Sequence, residues 1–173
     1  SNEEDDNRLE GPWYYSGKAM RGQFINAAIV TALFVALGVT MEVMGWVHQG
    51  WHLITWISLL AIPVIVWLYL IGVYLYRTMT IRYSLTPYRL FHEEGLLIRR
   101  KHVIEMVDID DIEHSQSLFE RFVCGNVGTI RILSSDPGNP ELIIRGLVNH
   151  EEVFNKIDEA RRKQRQKRGL KAL

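Results

Sequence analysis

The chain has 173 residues, 20 basic and 20 acidic side chains, and a formal net charge of zero at pH 7. Its single cysteine, Cys124, excludes an internal disulfide framework and fits a reducing compartment. The mean hydropathy of −0.03 is typical of a soluble protein, but that average combines polar ends with a strongly apolar middle. The length allows one helical hairpin and one small domain of about 100 residues.

Residues 1–23 precede the apolar middle and are predicted to form a cytoplasmic lead, of which the first twelve are expected to be solvated. Three aromatic residues follow at 13–15, and the basic residues Lys18 and Arg21 come next. Aromatic rings and cations just before a span suit the headgroup layer of a membrane. The alternative is a loop with exposed aromatic side chains.

Two long apolar runs, residues 24–47 and 53–76, predict a transmembrane helical hairpin. The first run contains one acidic side chain, Glu42, and no basic one, and the second contains no charge. Each run exceeds the ~20 residues that a helix needs to cross a bilayer core, and neither has the 3.6-residue polar period of a soluble surface helix. Residues 48–52 connect the runs, and Pro63 is expected to kink the second helix.

The first run carries small side chains at every fourth position, and this spacing predicts a helix-packing face. Small residues in such a pattern allow a second helix to approach closely. The partner is either the second run or another protein. The face consists of Ala28, Ala32, Ala36 and Thr40.

Glu42 lies about five residues from the end of the first run, or ~7.5 Å along a helix. Its carboxylate is therefore expected to reach the interface, and the alternative is a role in proton or ion transfer. Basic residues flank the hairpin at Lys18 and Arg21 and again at Arg77 and Arg82, whereas the connector has none. This asymmetry predicts that both termini are cytoplasmic.

Residues 77–168 are predicted to form a cytoplasmic α+β domain, followed by a short tail at 169–173. Short stretches of branched and aromatic residues alternate with turn residues, which indicates a small antiparallel barrel or sandwich. Turns are expected at 92–95 and 136–140. Strands are expected at 80–85, 88–91, 96–98, 102–107, 129–133 and 142–145.

Two helices are expected in this domain. Ser117 and Glu120 have capping-box spacing, which predicts one helical turn that ends near Gly125. Asn149 is expected to cap a closing helix whose apolar face includes Val153 and its neighbours. Beyond residue 160 the apolar positions stop, so the second half of this helix is expected to be a charged extension.

These features together resemble the bacterial pleckstrin-homology-like (bacterial PH domain) family of two-span membrane proteins, over about residues 24–160. The resemblance implies a strongly bent seven-stranded sheet that the C-terminal helix closes at one end. The segments that carry it are YSLTPYRL at 83–90, EGLLIRR at 94–100, Ile109 and Ile112, SQSLFER at 115–121, and GNVGTIRI at 125–132.

The family is not an enzyme family, so the resemblance implies a non-catalytic module, without cofactors, in the bacterial inner membrane. Such a module would dock a protein or a lipid at the cytoplasmic surface, alone or as a homo-oligomer. A second hypothesis is an accessory subunit of a larger membrane complex that packs through the small-residue face. A third is a transporter or channel component built on Asn26 and Glu42, which requires oligomerisation because one hairpin is too small to enclose a pore.

Candidates for metal binding or catalysis are sparse in the sequence. His48 and His52 flank Gly50 in an expected turn, which favours a polar loop over a metal site. Cys124 has no base placed beside it by the sequence, so a structural thiol is expected. The acidic residues at 108–111 are expected to lie on a solvated edge.

Arg99, Arg100 and Lys101 form the most prominent basic group. Near an anionic leaflet each cation is worth about 1 kcal/mol, so these residues are candidates for contact with lipid headgroups or a partner. The alternative is a charged strand edge that prevents edge-to-edge pairing. The basic run at 161–171 lacks interleaved aromatic residues, so no nucleic-acid partner is expected.

Overall fold

The computed structural model describes residues 9–48 and 50–171, with the backbone alone at 170 and 171. The chain divides into two compact units. The helical unit is Met20–Leu75, and the other, here called the β unit, combines the described residues up to Ala19 with those from Tyr76 onward. The first segment of the β unit therefore precedes the helical unit in the chain and the second follows it.

Both apolar runs form helices, although their ends differ from the prediction. A 3-10 turn, Gly17–Met20, leads into α1 (Arg21–Val43), and α2 (His52–Thr80) follows the connector. The first helix stops before residue 47 because the chain turns at Gly45, whose φ of 69° favours glycine. The second runs continuously past Pro63 and ends at Thr80, so the strand expected from residue 80 starts only at Arg82.

Within the helical unit, α1 turns one side towards α2 with alternating three- and four-residue spacing, as in a coiled-coil seam. Gly38 lies in this seam, where a Cβ atom would come 2.9 Å from the Trp56 ring. The Trp56 indole N–H donates to Glu42 Oε1 at 2.7 Å, and that of Trp67 donates to Thr31 Oγ1 at 3.0 Å. The less exposed side of α1 comprises Phe24, Ala27, Thr31, Phe34, Gly38 and Met41.

Replacing Gly38 with alanine is expected to destabilise the hairpin by about 1–3 kcal/mol, because the bond to Glu42 prevents the Trp56 ring from yielding. The matched control is Gly72→Ala, since a Cβ at Gly72 meets nothing within 4 Å. That variant is expected to be neutral or slightly stabilising. Helix loss monitored by circular dichroism in detergent, with increasing dodecyl sulfate, compares the two. Equal stability of the two variants would contradict the packing described here.

Seven strands in the β unit form two antiparallel sheets. The first sheet has the order β1-β2-β3-β4 and the second β5-β6-β7, so the described strands do not form the closed barrel that was one of the expected arrangements. Their bounds are β1 Glu10–Tyr14, β2 Arg82–Leu85, β3 Arg89–Glu94, β4 Arg100–Glu105, β5 Ile109–Ser115, β6 Gly128–Ser134 and β7 Glu141–Leu147. Two further helices are α3 (Leu118–Phe122) and α4 (His150–Lys171).

The strand β1 was not predicted. Residues 10–14 were expected to belong to a solvated lead and an interfacial aromatic group, but they pair antiparallel with β2. Trp13 lies opposite Tyr83 and packs against the core. The first sheet is therefore completed by a strand that precedes the hairpin.

Two other expectations about the β unit are wrong, and one further strand was not expected. β3 continues through His92 to Glu94, where a turn was expected, and the turn comes at 95–99. The segment 96–98, expected as a strand, lies in that turn. β5 was not among the expected strands because acidic side chains at 110 and 111 interrupt its apolar pattern, although Ile109 and Ile112 are buried.

The core lies between the sheets and the first half of α4. Val153 and Ile157 are fully buried, as predicted, and Phe154 packs against the same cluster. The second half of α4 differs from the charged extension that was expected. Gln164 is buried and its side-chain amide donates to the Pro87 carbonyl at 3.0 Å, while Arg165 donates to the Ile109 carbonyl at 2.8 Å. These polar bonds hold the helix against the sheets where apolar residues are missing.

Candidate binding surface

The loop between β3 and β4 exposes three consecutive apolar side chains. Leu96 is 65% exposed, Leu97 95% and Ile98 78%. Gly95 shapes the loop with a φ of 122°, and a Cβ there would overlap the carbonyl oxygen of Ile98. Because the flanking strands are paired up to Glu94 and Arg100, the loop projects from a defined hairpin. Residues 96–98 are called the apolar loop below.

A cleft of about 210 Å³ lies at the base of this loop. Met79 and Thr80, from the last turn of α2, line one part of it, and Gly95 and Leu96 line another. The charged lining is mixed, since two cations and two carboxylates contribute to it. The lining residues are Met79, Thr80, Arg82, Glu93, Glu94, Gly95, Leu96 and Arg99.

The basic residues predicted to contact lipid or a partner all lie at the β3–β4 hairpin and are exposed, but their surroundings differ. Lys101 forms an ion pair with Glu93 at 3.7 Å and lies 4.2 Å from the centre of the Phe91 ring. Arg99 lines the cleft. Neither Arg99 nor Arg100 forms an ion pair with any residue that the structure describes. Of the three predicted basic residues, Arg99 and Arg100 are therefore the two whose guanidinium groups are available to an anionic ligand.

Sequence reasoning missed two contributors to the cleft, Arg82 and Met79. Arg82 was considered as a topological signal and as part of the expected strand 80–85, and Met79, which lies beyond the second apolar run, was not considered. The antiparallel register of β2 and β3 places Arg82 opposite Glu93. That register could have been suggested by the alternation of residues 80–85, but the continuation of α2 to Thr80 could not.

The helix α3 carries a second exposed apolar surface. Leu118 is 74% exposed and Phe122 76%, with Phe119 half-exposed between them. The predicted capping box is confirmed, because Ser117 Oγ accepts from the Glu120 amide at 3.1 Å and Glu120 accepts in return at 2.8 Å. This short helix is thus fixed at its start, and its large apolar side chains point into solvent.

The small-residue face on α1 does not face α2. Ala28, Ala32, Ala36 and Thr40 are all exposed, whereas Ala27 is buried one position away. Small residues at every fourth position suggested this face in the sequence. The residues of α1 that pack on α2 instead follow an alternating spacing of three and four. Packing of the predicted face on another protein therefore stays a prediction.

Glu42 is engaged within the helical unit. Besides the Trp56 indole, His52 lies beside it, with Nδ1 3.4 Å from the carboxylate. His52 begins α2 rather than lying in a two-histidine turn with His48. Among the described residues, no group of three or more histidine, cysteine, aspartate or glutamate side chains is arranged to hold a metal ion.

A pair of stacked histidines, of which His150 is buried and His114 exposed, lies at the start of α4. His114 Nε2 and His150 Nδ1 are 2.7 Å apart, and His150 Nε2 is 3.2 Å from the Gln116 side-chain nitrogen. His150 is only 1% exposed. Burial, reinforced by His114, lowers the pKa of His150. Burial also lowers the pKa of His92.

Acidification is expected to destabilise the β unit through these histidines. Because their pKa values are below 6.5 when folded, the unfolded chain binds more protons as the pH falls through that value. The stability they contribute is fully present above about pH 6.5 and decreases below it. Urea unfolding between neutral and mildly acidic pH measures this slope. In His150→Gln the slope is expected to be shallower, and parallel slopes for the two proteins would contradict the assignment to His150.

The β unit has the two antiparallel sheets and C-terminal helix of a pleckstrin-homology-like fold, and the chain is an α+β protein with two long apolar helices. A model of the bacterial PH domain family matches residues 22–161, and the chain belongs to that family. Searches of curated proteins and of solved structures gave no match. Membership of the family indicates a non-catalytic binding module. The match begins after β1, so the strand that completes the first sheet lies outside it.

Proposed function

We propose that the protein is a membrane-anchored, non-catalytic module whose β unit docks an anionic lipid or a protein partner at the cytoplasmic surface of the bacterial inner membrane. The observation that carries this proposal is the apolar outer surface of the two long helices. The segments Gly17–Val43 and His52–Thr80 are long and apolar enough to cross a membrane. Within the most apolar 18-residue window of each segment, only 11% is buried.

The exposure of these helices argues against the core of a soluble protein. Leu33, Leu53 and Leu68 are each between 64% and 78% exposed. Apolar surface left in water costs about 25 cal/mol per Å², and a contiguous surface of this kind calls for a covering medium. A bilayer supplies it. Basic residues on both flanks of the hairpin, and none in the connector, favour cytoplasmic termini.

The surface best suited to docking is the hairpin of β3 and β4, with its cleft and unpaired guanidinium groups. An anionic headgroup offers phosphate oxygens, for which arginine has a planar, forked set of donors. Glu93 and Glu94 lie in the same cleft. These carboxylates oppose binding of a purely anionic ligand inside the cleft, so we expect phosphate to bind the guanidinium groups of Arg99 and Arg100 instead.

The test is purification of the full chain in native lipid nanodiscs, followed by mass spectrometry of the lipids and proteins that accompany it. The double variant Arg99→Gln/Arg100→Gln is expected to lose several-fold of the enriched anionic lipid or partner. The control is Arg131→Gln, since Arg131 lies on β6 in ion pairs with Glu113 and Glu141. Equal retention by both variants would contradict docking at this surface. Turnover of a substrate, abolished by a defined substitution, would contradict a non-catalytic role.

A second candidate function is that of an accessory subunit in a larger membrane complex. The specific observation is that Ala28, Ala32, Ala36 and Thr40 are exposed and leave the close-packing side of α1 available to a foreign helix. Ala32→Leu is expected to weaken co-purification of such a partner without weakening the hairpin itself. Undiminished co-purification would count against this function.

A further inference from the structure

We propose that the β unit rests on the membrane through two apolar elements that insert shallowly into the cytoplasmic leaflet. They are the apolar loop at 96–98 and the exposed side of α3, with Leu118 and Phe122. The proposal rests on the function proposed above, since it requires that α1 and α2 span a bilayer. It adds that the PH-like unit itself contacts lipid, in addition to being tethered by the helices.

The apolar loop lies beside one of the two points where the β unit joins the helical unit. Leu96 lines the same cleft as Met79 and Thr80, the last residues of α2. The chain reaches these residues directly from the apolar run that is proposed to span the bilayer. Side chains that neighbour them are therefore close to the membrane surface.

The helix α3 lies beside the other point of connection. Cys124 follows α3 closely, and its Sγ is 4.0 Å from the carbonyl oxygen of Ala19. Ala19 is the last residue of the β unit before the chain enters the helical unit. The two apolar elements come from distant parts of the sequence, and each lies beside one of the two points where the chain passes between the units. This placement indicates that both elements belong to the membrane-facing side of the β unit.

The charges near both elements suit the headgroups of an anionic leaflet. Arg99 and Arg100 follow the apolar loop directly, and Arg121 lies within α3. Apolar side chains that enter the acyl boundary with cations at the phosphate level are the pattern of interfacial membrane binding. A partner protein would also cover the apolar surface. It would not explain why both apolar elements lie beside the points where the chain passes between the β unit and the helical unit.

Both elements are shaped before they meet a membrane. Gly95 closes the loop at the end of a paired hairpin, and the capping box fixes the start of α3. Insertion therefore does not require these segments to fold on contact, which would oppose binding by the cost of ordering each residue. Leu97 is almost fully exposed, so its substitution is not expected to affect folding.

Spin labels placed in the full chain, reconstituted in vesicles, test the proposal. In a Cys124→Ala background, single cysteines that carry the label replace Leu97, Phe122, Leu68 and Arg89 in turn. Electron paramagnetic resonance then compares how often each label collides with oxygen, which enters the bilayer, and with a nickel chelate, which stays in water. Arg89 is the aqueous control, since it lies at the opposite end of β3, about 17 Å from Glu94 at ~3.3 Å per residue. Leu68, mid-way along α2, is the reference within the bilayer.

Labels at Leu97 and Phe122 are expected to show a several-fold higher ratio of oxygen to chelate collisions than the label at Arg89. The ratio at Leu97 is expected to rise when phosphatidylglycerol replaces part of the phosphatidylcholine. Aqueous values at Leu97 and Phe122, with Leu68 embedded, would overturn the proposal and assign the apolar elements to a protein partner. An aqueous value at Leu68 would instead overturn the membrane anchor and hence the proposed function.

Discussion

Replacing Gly128 with alanine is expected to lower the free energy of unfolding of the β unit by about 3 kcal/mol. A Cβ atom at this position would lie 2.5 Å from Cγ of His150 and 2.7 Å from its Nδ1. The ring cannot move aside, because His114 bonds one of its nitrogens and Gln116 contacts the other. It also lies at the first residue of α4, so its displacement would shift the helix that covers the core.

The matched control for this substitution is Gly138→Ala, in the turn between β6 and β7. There a Cβ would meet only the Asp136 carboxylate, at an ordinary distance of 3.4 Å. Urea unfolding in detergent, monitored by circular dichroism, compares both variants with the parent protein. If Gly128→Ala were as stable as Gly138→Ala, the close packing of Gly128 on His150 would be contradicted.

Replacing Trp13 with alanine is expected to destabilise the β unit by about 3 kcal/mol, since large-to-small substitution of a core aromatic residue typically costs 3–5 kcal/mol and this ring is only partly buried. The indole packs on the core from β1, and Lys156 Nζ lies 5.9 Å from its ring centre. Its loss removes the main apolar contact that holds β1 on the first sheet.

The neighbouring residue Tyr14 provides the matched control. Its side chain is 51% exposed on the same strand, so Tyr14→Ala is expected to change stability by less than about 1 kcal/mol. Urea unfolding curves of Trp13→Ala and Tyr14→Ala, measured side by side, compare the two losses of stability. Equal effects would indicate that residues 10–14 behave as the solvated lead and interfacial aromatic group that the sequence suggested.

The difference between sequence and structure at β1 has a clear physical cause. Five residues interrupted by Gly11 and Pro12 carry little β pattern of their own. Their partner, β2, lies almost seventy residues later, beyond the whole helical unit. Only tertiary pairing reveals such a strand. By contrast, the capping box at Ser117 and the apolar face of α4 are local patterns, and both were predicted correctly.

The apolar loop was misinterpreted because a short run of three apolar residues that ends in the β-branched Ile98 suggests a strand in isolation. Gly95 was taken as the end of a turn, whereas it begins one. Similarly, the four-residue repeat of alanines in α1 was more visible than the seam through Ala27 and Gly38. In both cases the composition identified an apolar or small-residue segment correctly. Which of its side chains are buried and which are exposed depends on packing against elements distant in sequence.

For the candidate site, the sequence identified the basic residues but not their surroundings. Arg99 was a candidate for contact with lipid or a partner, with a charged strand edge as the alternative, and it lines a cleft with the end of α2. Lys101 was grouped with the two arginines, yet its pairing with Glu93 sets it apart. The register between β3 and β4 decides which basic side chains lie opposite a carboxylate. Because that register depends on where β3 ends, the sequence alone did not predict it.

The central claim, a PH-like unit anchored by a membrane-spanning hairpin, is tested most directly by alkaline extraction of membranes that contain the full chain. High pH opens vesicles and releases peripheral proteins, while spanning helices stay in the bilayer. The protein is expected to remain entirely with the membrane pellet, with a tag at either end accessible only from the cytoplasmic side. Recovery of the protein in the soluble fraction would contradict the anchor.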